Sequence, residues 1–185
     1  MQKRHLPFLA AMLLPVLVAG AVRWQETLFA QQKAERAPEF QLRDLRGRLV
    51  SLTGLLKKSP VLLDFWALWC NPCLKELPHL NDIQEAYKEK LRVVAVNEDD
   101  ASNQAKIRPF VKGNRYRFQV LLDPDHLVMR RFKLNAIPTT FLIDQRGKMV
   151  FFHQGYQPGD EKLLSDAVAG LLNRKISSPP DSSGR

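Results

Sequence analysis

The sequence predicts an α/β domain in which helices flank a sheet, and three observations lead to this fold class. The nearly continuous apolar run VLLDFW, residues 61–66, is typical of a strand that is buried on both faces. The next segment has the spacing of an amphipathic helix, and a second apolar strand follows it. Strands and helices continue to interleave along the chain, which is the pattern of layered α/β proteins.

The first half of the domain is predicted to open with a β-hairpin and continue as a β-α-β unit. Residues 39–52 alternate apolar and polar side chains around Arg46 and Gly47, as the two strands of a hairpin do. After the strand at 61–66, apolar residues at helical spacing predict a helix over 73–90. We then expect a strand at 91–97 and a helix near 102–112.

The second half is predicted to end in another hairpin and a last helix. Acidic residues in the first turn of that helix favour its start, because the positive end of a helix attracts negative charge. The predicted elements are a strand at 118–123, a short helix at 126–134, hairpin strands at 139–144 and 148–153 around a turn at 145–147, and an amphipathic helix at 159–172.

The two ends of the chain differ in composition from the part between them. Residues 1–22 place a basic start before a long uncharged run, which indicates an export segment. Residues 23–37 read as a polar linker, and residues 174–185 as a disordered tail rich in Ser and Pro. The predicted globular domain therefore covers residues 38–173.

The export segment has two interpretations. An uncharged run of about 17 residues forms a helix of about 25 Å, which is near the length that spans a membrane. Arg23 and Trp24 would suit the interface at the end of such an anchor. Small residues at 19–21 instead fit a signal-peptidase site, with cleavage after Ala21. We favour the uncleaved anchor.

The net charge of +9 does not indicate a nucleic-acid partner. Residues 38–173 contain 20 basic and 16 acidic side chains, so the domain is only mildly basic and the two ends supply the rest. The densest basic stretch, residues 106–117, is of the kind that usually forms a solvated face. An exported protein also rarely meets nucleic acid.

The only two cysteines, Cys70 and Cys73, lie at a predicted junction between a strand and a helix. The positive end of the helix stabilises a thiolate there, and the second thiol lies about one turn away. Pro72 fits this placement, because proline is tolerated in the first turn of a helix. We expect Cys70 to be the exposed attacking thiol and Cys73 the shielded one that resolves the mixed disulfide.

Three other interpretations of the pair differ in how well they fit. Two inert core thiols fit poorly with Asn71 and Pro72 between them, which indicate a surface junction. A structural zinc site needs four ligands, and the histidines are scattered at 5, 79, 126 and 153. A copper-binding or metallochaperone module that uses the two thiolates stays open as the alternative function.

The motif DFWALWCNPC, followed by Pro78 and later by AIPTTFLID, resembles the thioredoxin superfamily. More narrowly, residues 38–172 resemble the TlpA-like thiol:disulfide oxidoreductases of the bacterial cell envelope. The features shared with that branch are the N-terminal anchor, the first hairpin, the extra helix and strand before AIPTTF, and Glu76. The resemblance implies a thioredoxin-like fold with a central mixed sheet. Peroxiredoxins are a poorer match, because Leu63 and Ala67 stand where their Pro and Thr belong.

The resemblance implies a set of site residues. The Ile137–Pro138 bond is expected to be cis and to face the cysteines, with Ile137, Pro138 and Thr139 offering backbone to the substrate chain. Trp69, Asn71 and Pro72 are expected to form the rest of the substrate-binding rim.

Two acidic residues are expected to serve the thiol chemistry. Asp64 occupies the place of the buried acid of thioredoxins, inside an apolar strand where desolvation raises a carboxyl pKa. It is a candidate proton acceptor for Cys73. Glu76 corresponds to an acid near the active site of the envelope reductases, although its position in the helix also suits an ordinary solvated Glu.

The implied activity is thiol–disulfide exchange with cysteines of exported proteins, without a cofactor or metal, and the resemblance favours the reductant direction. Candidate substrates include an apocytochrome c and a copper-site protein. Thr139 departs from the cytochrome c maturation branch, where an acidic residue follows the cis-proline. A membrane electron-transfer partner would reset the pair. The implied location is the inner membrane with the domain in the periplasm, or the soluble periplasm after cleavage.

Overall fold

The computed structural model describes residues 36–176, which fold as the predicted α/β domain. The strands are β1 (Gln41–Asp44), β2 (Leu49–Ser51), β3 (Val61–Trp66), β4 (Arg92–Asn97), β5 (Gln119–Leu122), β6 (Thr139–Ile143) and β7 (Met149–Gln154). The α-helices are α1 (Leu52–Leu56), α2 (Asn71–Tyr87), α3 (Gln104–Gly113), α4 (Leu127–Arg131) and α5 (Asp160–Ile176). A 3₁₀ turn, Ala101–Asn103, precedes α3.

The seven strands form one mixed sheet in the order β2-β1-β5-β4-β3-β6-β7. Strands β3, β4 and β5 are parallel to their neighbours in that group, while β6, β7, β1 and β2 add antiparallel pairs at the two sides. The predicted mixed sheet and both predicted hairpins are confirmed. Because β3, β4 and β5 are parallel, their carboxyl ends meet at one edge of the sheet.

Helices cover both faces of the sheet and create two apolar cores. All six side chains of β3 are buried, and they alternate between the faces. Leu62 and Trp66 belong to the core under α2, α3 and α5, whereas Leu63 and Phe65 belong to the core under α1 and α4. The continuous apolar pattern of β3 thus reflects burial on both sides, as predicted.

The predicted elements differ from the observed ones mainly at their ends, and one helix was missed. Helix α1 is only five residues long, and the prediction extended the hairpin through Leu52. The structure instead ends β2 at Ser51, whose hydroxyl caps α1 by accepting the N–H of Gly54 at 3.1 Å. Thr53 and Gly54 are weak helix formers, and Leu52 continues the alternation of the strand before it, so the pattern favoured a strand here.

Some predictions lie outside the described residues. These are the export segment at 1–22, the linker up to residue 35, and the tail from residue 177. Helix α5 continues to Ile176, three residues beyond the predicted edge of the domain. Within residues 36–176, none of the helices has both the length and the apolar character needed to cross a bilayer.

Candidate active site

The turn that carries Cys70 is fixed by hydrogen bonds at the carboxyl ends of β3 and β4. The backbone N–H of Glu98 donates to the carbonyl of Trp66 at 2.8 Å. The carboxylate of Asp99 accepts the backbone N–H of Leu68 at 2.7 Å, and the N–H of Cys70 donates to the carbonyl of Ala67 at 3.1 Å. The approach of the chain to Cys70 is therefore held by the neighbouring strand.

Cys70 is the N-cap residue of α2. Its sulfur accepts the backbone N–H of Cys73 at 3.2 Å, and Pro72 lies in the first turn of the helix. The predicted junction between strand and helix is therefore present. An N–H donor and the positive end of the helix dipole both stabilise negative charge on this sulfur when the pair is reduced.

Cys70 and Cys73 are joined by a disulfide with an S–S distance of 2.01 Å and Cα atoms 5.3 Å apart. The prediction that Cys70 is exposed is wrong, because only 5% of its surface is exposed. The exposed fraction of Cys73 is 1%. The bond to Cys73 and the N–H contact draw the sulfur of Cys70 toward the helix. Cys70 is nonetheless the more accessible partner, and it lies between exposed neighbours.

Those neighbours are the predicted rim residues Trp69, Asn71 and Pro72, which are all exposed. Trp69 is 65% exposed, which is unusual for the largest side chain in the repertoire. By contrast, Trp66 is fully buried beneath the turn. These three exposed residues therefore flank Cys70 at the surface of the turn.

Glu76 lies one helical turn after Cys73 on α2, and it meets Asp64 at the hydroxyl of Thr140. Thr140 Oγ1 lies 3.1 Å from Asp64 Oδ1 and 3.0 Å from Glu76 Oε1. All three residues are at most 1% exposed. The prediction treated Asp64 and Glu76 as separate candidates, and the solvated alternative for Glu76 is wrong because helix α2 points this side chain into the interior.

The Asp64–Thr140–Glu76 cluster is built to hold a proton. A hydroxyl has one proton to donate, so it satisfies one carboxylate, and the second carboxyl can join the same oxygen only as a protonated donor. Burial is the main cause that raises the pKa of Asp64 to about 7 and that of Glu76 to about 9, and the Asp64 charge adds to the shift of Glu76. Asp64 Oδ2 and Glu76 Oε2 are sealed from solvent and have no hydrogen-bond partner among the described residues.

The Ile137–Pro138 peptide bond is cis, as predicted. Pro138 and Thr139 are buried, and the hydroxyl of Thr139 donates to the carbonyl of Ala136 at 2.7 Å. The pairing of Thr139 with Phe65 places Pro138 at the same edge of the sheet as the turn before Cys70. The carbonyl of Pro138 accepts the N–H of Gly155, whereas the backbone N–H and C=O of Ile137 have no partner among residues 36–176.

Sequence reasoning missed two residues of this site, Thr140 and Asp99. Thr140 could not be predicted from the local sequence, because only the register between β3 and β6 places it opposite Asp64. Asp99 had a usable signal: it comes two residues after a buried strand parallel to β3, and the carboxyl ends of such strands meet. Asn97 also holds it, donating from its side-chain amide to Asp99 at 2.8 Å.

No site for a metal ion accompanies the cysteine pair in the described range. Residues 36–176 contain no group of three or more His, Cys, Asp or Glu side chains arranged to hold a metal. A copper site would need Cys70 and Cys73 as two free thiolates, whereas here they are bonded to each other.

Comparison with known proteins identifies the family. The model of the AhpC/TSA family matches residues 34–152. The chain belongs to the AhpC/TSA family. Among curated proteins, it is 33% identical over 155 residues to a thiol-disulfide oxidoreductase ResA of Bacillus cereus, covering 81% of this chain and 88% of that protein. It is 32% identical over 154 residues to the protein of the same name from Bacillus subtilis, covering 80% and 84%.

Solved structures agree with these relatives. A putative thiol:disulfide interchange protein DsbE from Chlorobium tepidum superimposes with a TM-score of 0.70 at 35% identity, covering 76% of this chain and 98% of that one. The predicted thioredoxin-like fold and the predicted thiol:disulfide oxidoreductase activity are confirmed. The alternative of a copper-binding module receives no support from these relatives.

Proposed function

We propose that this AhpC/TSA-family protein reduces disulfides in exported proteins through the Cys70–Cys73 pair. The observation that carries the proposal is the position of this pair at the start of α2, where the buried Asp64–Thr140–Glu76 cluster includes Glu76, one helical turn after Cys73. The helix start supplies a stabilised thiolate, and the cluster supplies a place for its partner's proton. The names of the relatives support thiol–disulfide exchange, and the direction and the exported substrates rest on the sequence resemblance.

In the first step, the Cys70 thiolate attacks one sulfur of the substrate disulfide. A mixed disulfide forms, the substrate S–S bond breaks, and the released substrate thiolate takes a proton from solvent. Substrate backbone pairs with the free N–H and C=O groups of Ile137, beside Pro138 and Thr139. Trp69, Asn71 and Pro72 supply the exposed contact surface around the sulfur.

In the second step, Cys73 loses its proton to the carboxylate of the Asp64–Glu76 pair and attacks the Cys70 sulfur. The mixed disulfide breaks, and the second substrate thiolate leaves and takes a proton from solvent, while the acid pair releases the Cys73 proton to solvent. Cys70 and Cys73 end as the disulfide seen in the structure. Two electrons and two protons have moved to the substrate. A membrane electron-transfer partner would return the electrons, and residues 1–22 would tether the domain beside it on the periplasmic side.

The chemistry is tested by following insulin reduction driven by dithiothreitol. Cys70→Ser is expected to abolish the catalysed rate. Cys73→Ser should accumulate a mixed disulfide on Cys70, because the resolving thiol is gone. Full activity in Cys70→Ser, or a stable complex with copper in place of turnover, would contradict the proposal.

The direction is tested by equilibrating the protein with glutathione redox buffers and trapping free thiols. Potentials of CxxC proteins extend from about −270 mV for a reductant to about −120 mV for a strong oxidant. A midpoint potential in the more negative half of that range supports a role as a reductant. A midpoint near the upper end would make the protein an oxidase. Mixed disulfides captured in cells by Cys73→Ser would name the substrates.

A further inference from the structure

A basic groove lies at the end of the sheet opposite the cysteines. It is a cavity of about 480 Å³ between the β1–β2 turn, the end of α2 and the starts of β4 and β5. Arg92, in this groove, begins β4, whereas Asn97 ends it beside the turn before Cys70. Five residue steps along a strand separate the groove from the active-site edge by about 17 Å. The groove is therefore distinct from the redox site.

The lining of the groove is strongly positive. Five cationic side chains line it, together with a single carboxylate; the cations are Arg46, Arg48, Lys88, Arg92 and Arg117. The carboxylate, Asp44, is already engaged by Arg48, whose Nε and Nη2 atoms lie 2.8 Å and 2.7 Å from Asp44 Oδ2. The other four cations form no salt bridge with any residue in the described part of the chain. Such a concentration of like charge in a concave surface attracts anions.

Arg92 extends the positive charge beyond this groove. Its Nε atom is sealed from solvent, so the N–H groups that it can offer to a ligand are those of its Nη atoms. Arg92 also lines an adjoining cavity of about 370 Å³, to which Lys58 adds another cation. The guanidinium thus lies between two basic cavities.

We propose that this groove binds a phosphate group, carried either by a soluble phosphate ester or by a phospholipid headgroup. Guanidinium groups present planar forks of N–H donors that match phosphate oxygens, and three of the four unpaired cations are arginines. A phosphate monoester, with up to two negative charges, also neutralises more of this cluster than one carboxylate does, whereas the phosphodiester of a phospholipid carries one. The volume of the groove is within the usual range for small-molecule sites.

The binding is tested on the full-length chain by calorimetric titration with inorganic pyrophosphate and with glycerol 3-phosphate. Sedimentation with vesicles of phosphatidylglycerol, against vesicles of phosphatidylcholine, forms the lipid arm. The test variant is Arg46→Gln/Arg117→Gln, which removes two exposed arginines of the groove. The matched control is Arg115→Gln/Arg130→Gln, which removes two arginines elsewhere and changes the net charge equally.

We expect saturable binding of pyrophosphate at one site, weakened at least tenfold in the groove variant and less than twofold in the control. Arg92→Lys keeps the charge but loses the fork, so it should also weaken binding severalfold. If the protein associates with phosphatidylglycerol vesicles and the groove variant does not, the phosphate belongs to a lipid headgroup. Binding of the two soluble probes without vesicle association assigns it to a soluble ester.

Three results would overturn the proposal. One is the absence of saturable binding to every phosphate probe. Another is an equal loss of affinity in the groove variant and the control, which would mean attraction to net charge alone. The third is binding to a single-stranded oligonucleotide without binding to either soluble phosphate or to vesicles. Insulin reduction should be unchanged in all these variants. A failure of the phosphate-binding proposal would therefore not contradict the redox proposal.

Discussion

The two ends of strand β4 place charged groups in opposite physical situations. At the amino end, Arg92 opens into a basic groove whose other cations are largely solvated. At the carboxyl end, Glu98 and Asp99 are each 1% exposed, beside the turn that carries Cys70. A solvated charge at the surface can attract ions without a desolvation penalty, whereas burial shifts the pKa of an ionisable group. The acids of the redox site are buried in this second way.

Glu98 is a buried carboxyl group outside the Asp64–Thr140–Glu76 cluster, and it can be compared with the two acids of that cluster. Burial is the main cause that raises its pKa to about 8, although the hydrogen bond from His126 acts in the opposite direction. Glu98 Oε2 lies 2.8 Å from His126 Nδ1, and His126 adopts a left-handed backbone with φ of 53°. Glu98 therefore has a dedicated partner on a loop, whereas Asp64 and Glu76 share one hydroxyl with each other.

The largest effect is expected from neutralising the acid pair at the active-site end. Asp64→Asn/Glu76→Gln removes the proton acceptor for Cys73, and loss of a general base typically costs about 10²-fold or more in rate. Stopped-flow measurement of mixed-disulfide resolution should show this loss. The matched control is Asp82→Asn/Glu85→Gln, two acids on the same helix α2 outside the buried cluster. Equal rates in the two double variants would show that the buried pair moves no proton.

The same pair should make stability fall as the pH rises. Both acids have a folded-state pKa above the ordinary value, at about 7 for Asp64 and about 9 for Glu76, so the folded state binds more protons than the unfolded state between about pH 4 and pH 9. Their contribution is complete below about pH 4 and is lost as the pH rises through the folded-state values.

Urea unfolding of the oxidised protein at pH 5 and pH 9 measures this slope. We expect the free energy of unfolding to drop by roughly 2 kcal/mol or more between these pH values, since one pKa unit corresponds to about 1.4 kcal/mol. Asp64→Asn/Glu76→Gln should flatten the slope, leaving the part that Glu98 contributes in the same direction. A steeper slope in the double variant would contradict the shifted pKa values.

A smaller effect is expected from the support of the cysteine turn. Asp99→Ala leaves the N–H of Leu68 and the amide of Asn97 without their acceptor, which should cost about 1–3 kcal/mol of stability. Thermal unfolding measures the loss. The control is Asp100→Ala, at a neighbouring acid that is 75% exposed, for which a change within about 0.5 kcal/mol is expected. Equal losses would mean that Asp99 does not hold the turn.

The smallest effect is expected from the basic end of the sheet on the redox reaction. Arg46→Gln/Arg117→Gln should leave the rate of insulin reduction within about twofold, because surface charges about 17 Å away are screened beyond a Debye length of about 8 Å. The rate in about 0.15 M salt is the measurement. A tenfold change would show that the two ends of the sheet act as one site.

Much of this architecture could be predicted because its signals are local. The buried strand VLLDFW, the helix that follows the cysteines and both hairpins were placed to within a few residues. Alternation of side chains also implies that Asp64 shares the sheet face of Leu62 and Trp66. Helix α1 was missed because Thr53 and Gly54 are weak helix formers. The low exposure of Cys70 was missed because it depends on how the elements pack around the turn.

Within residues 36–176, the sequence by itself determined the strands, the α-helices other than α1, and the start of a helix at Cys70. Periodicity, proline placement and capping act over a few residues. Only the tertiary structure decided that Asp64 and Glu76 share one hydroxyl. Asp64 lies 76 positions before Thr140 in the chain, and Glu76 lies 64 positions before it. The register of β3 with β6 and the packing of α2 on the sheet bring these three residues together. The separation of basic and acidic ends has the same origin, because it depends on which strand ends lie side by side.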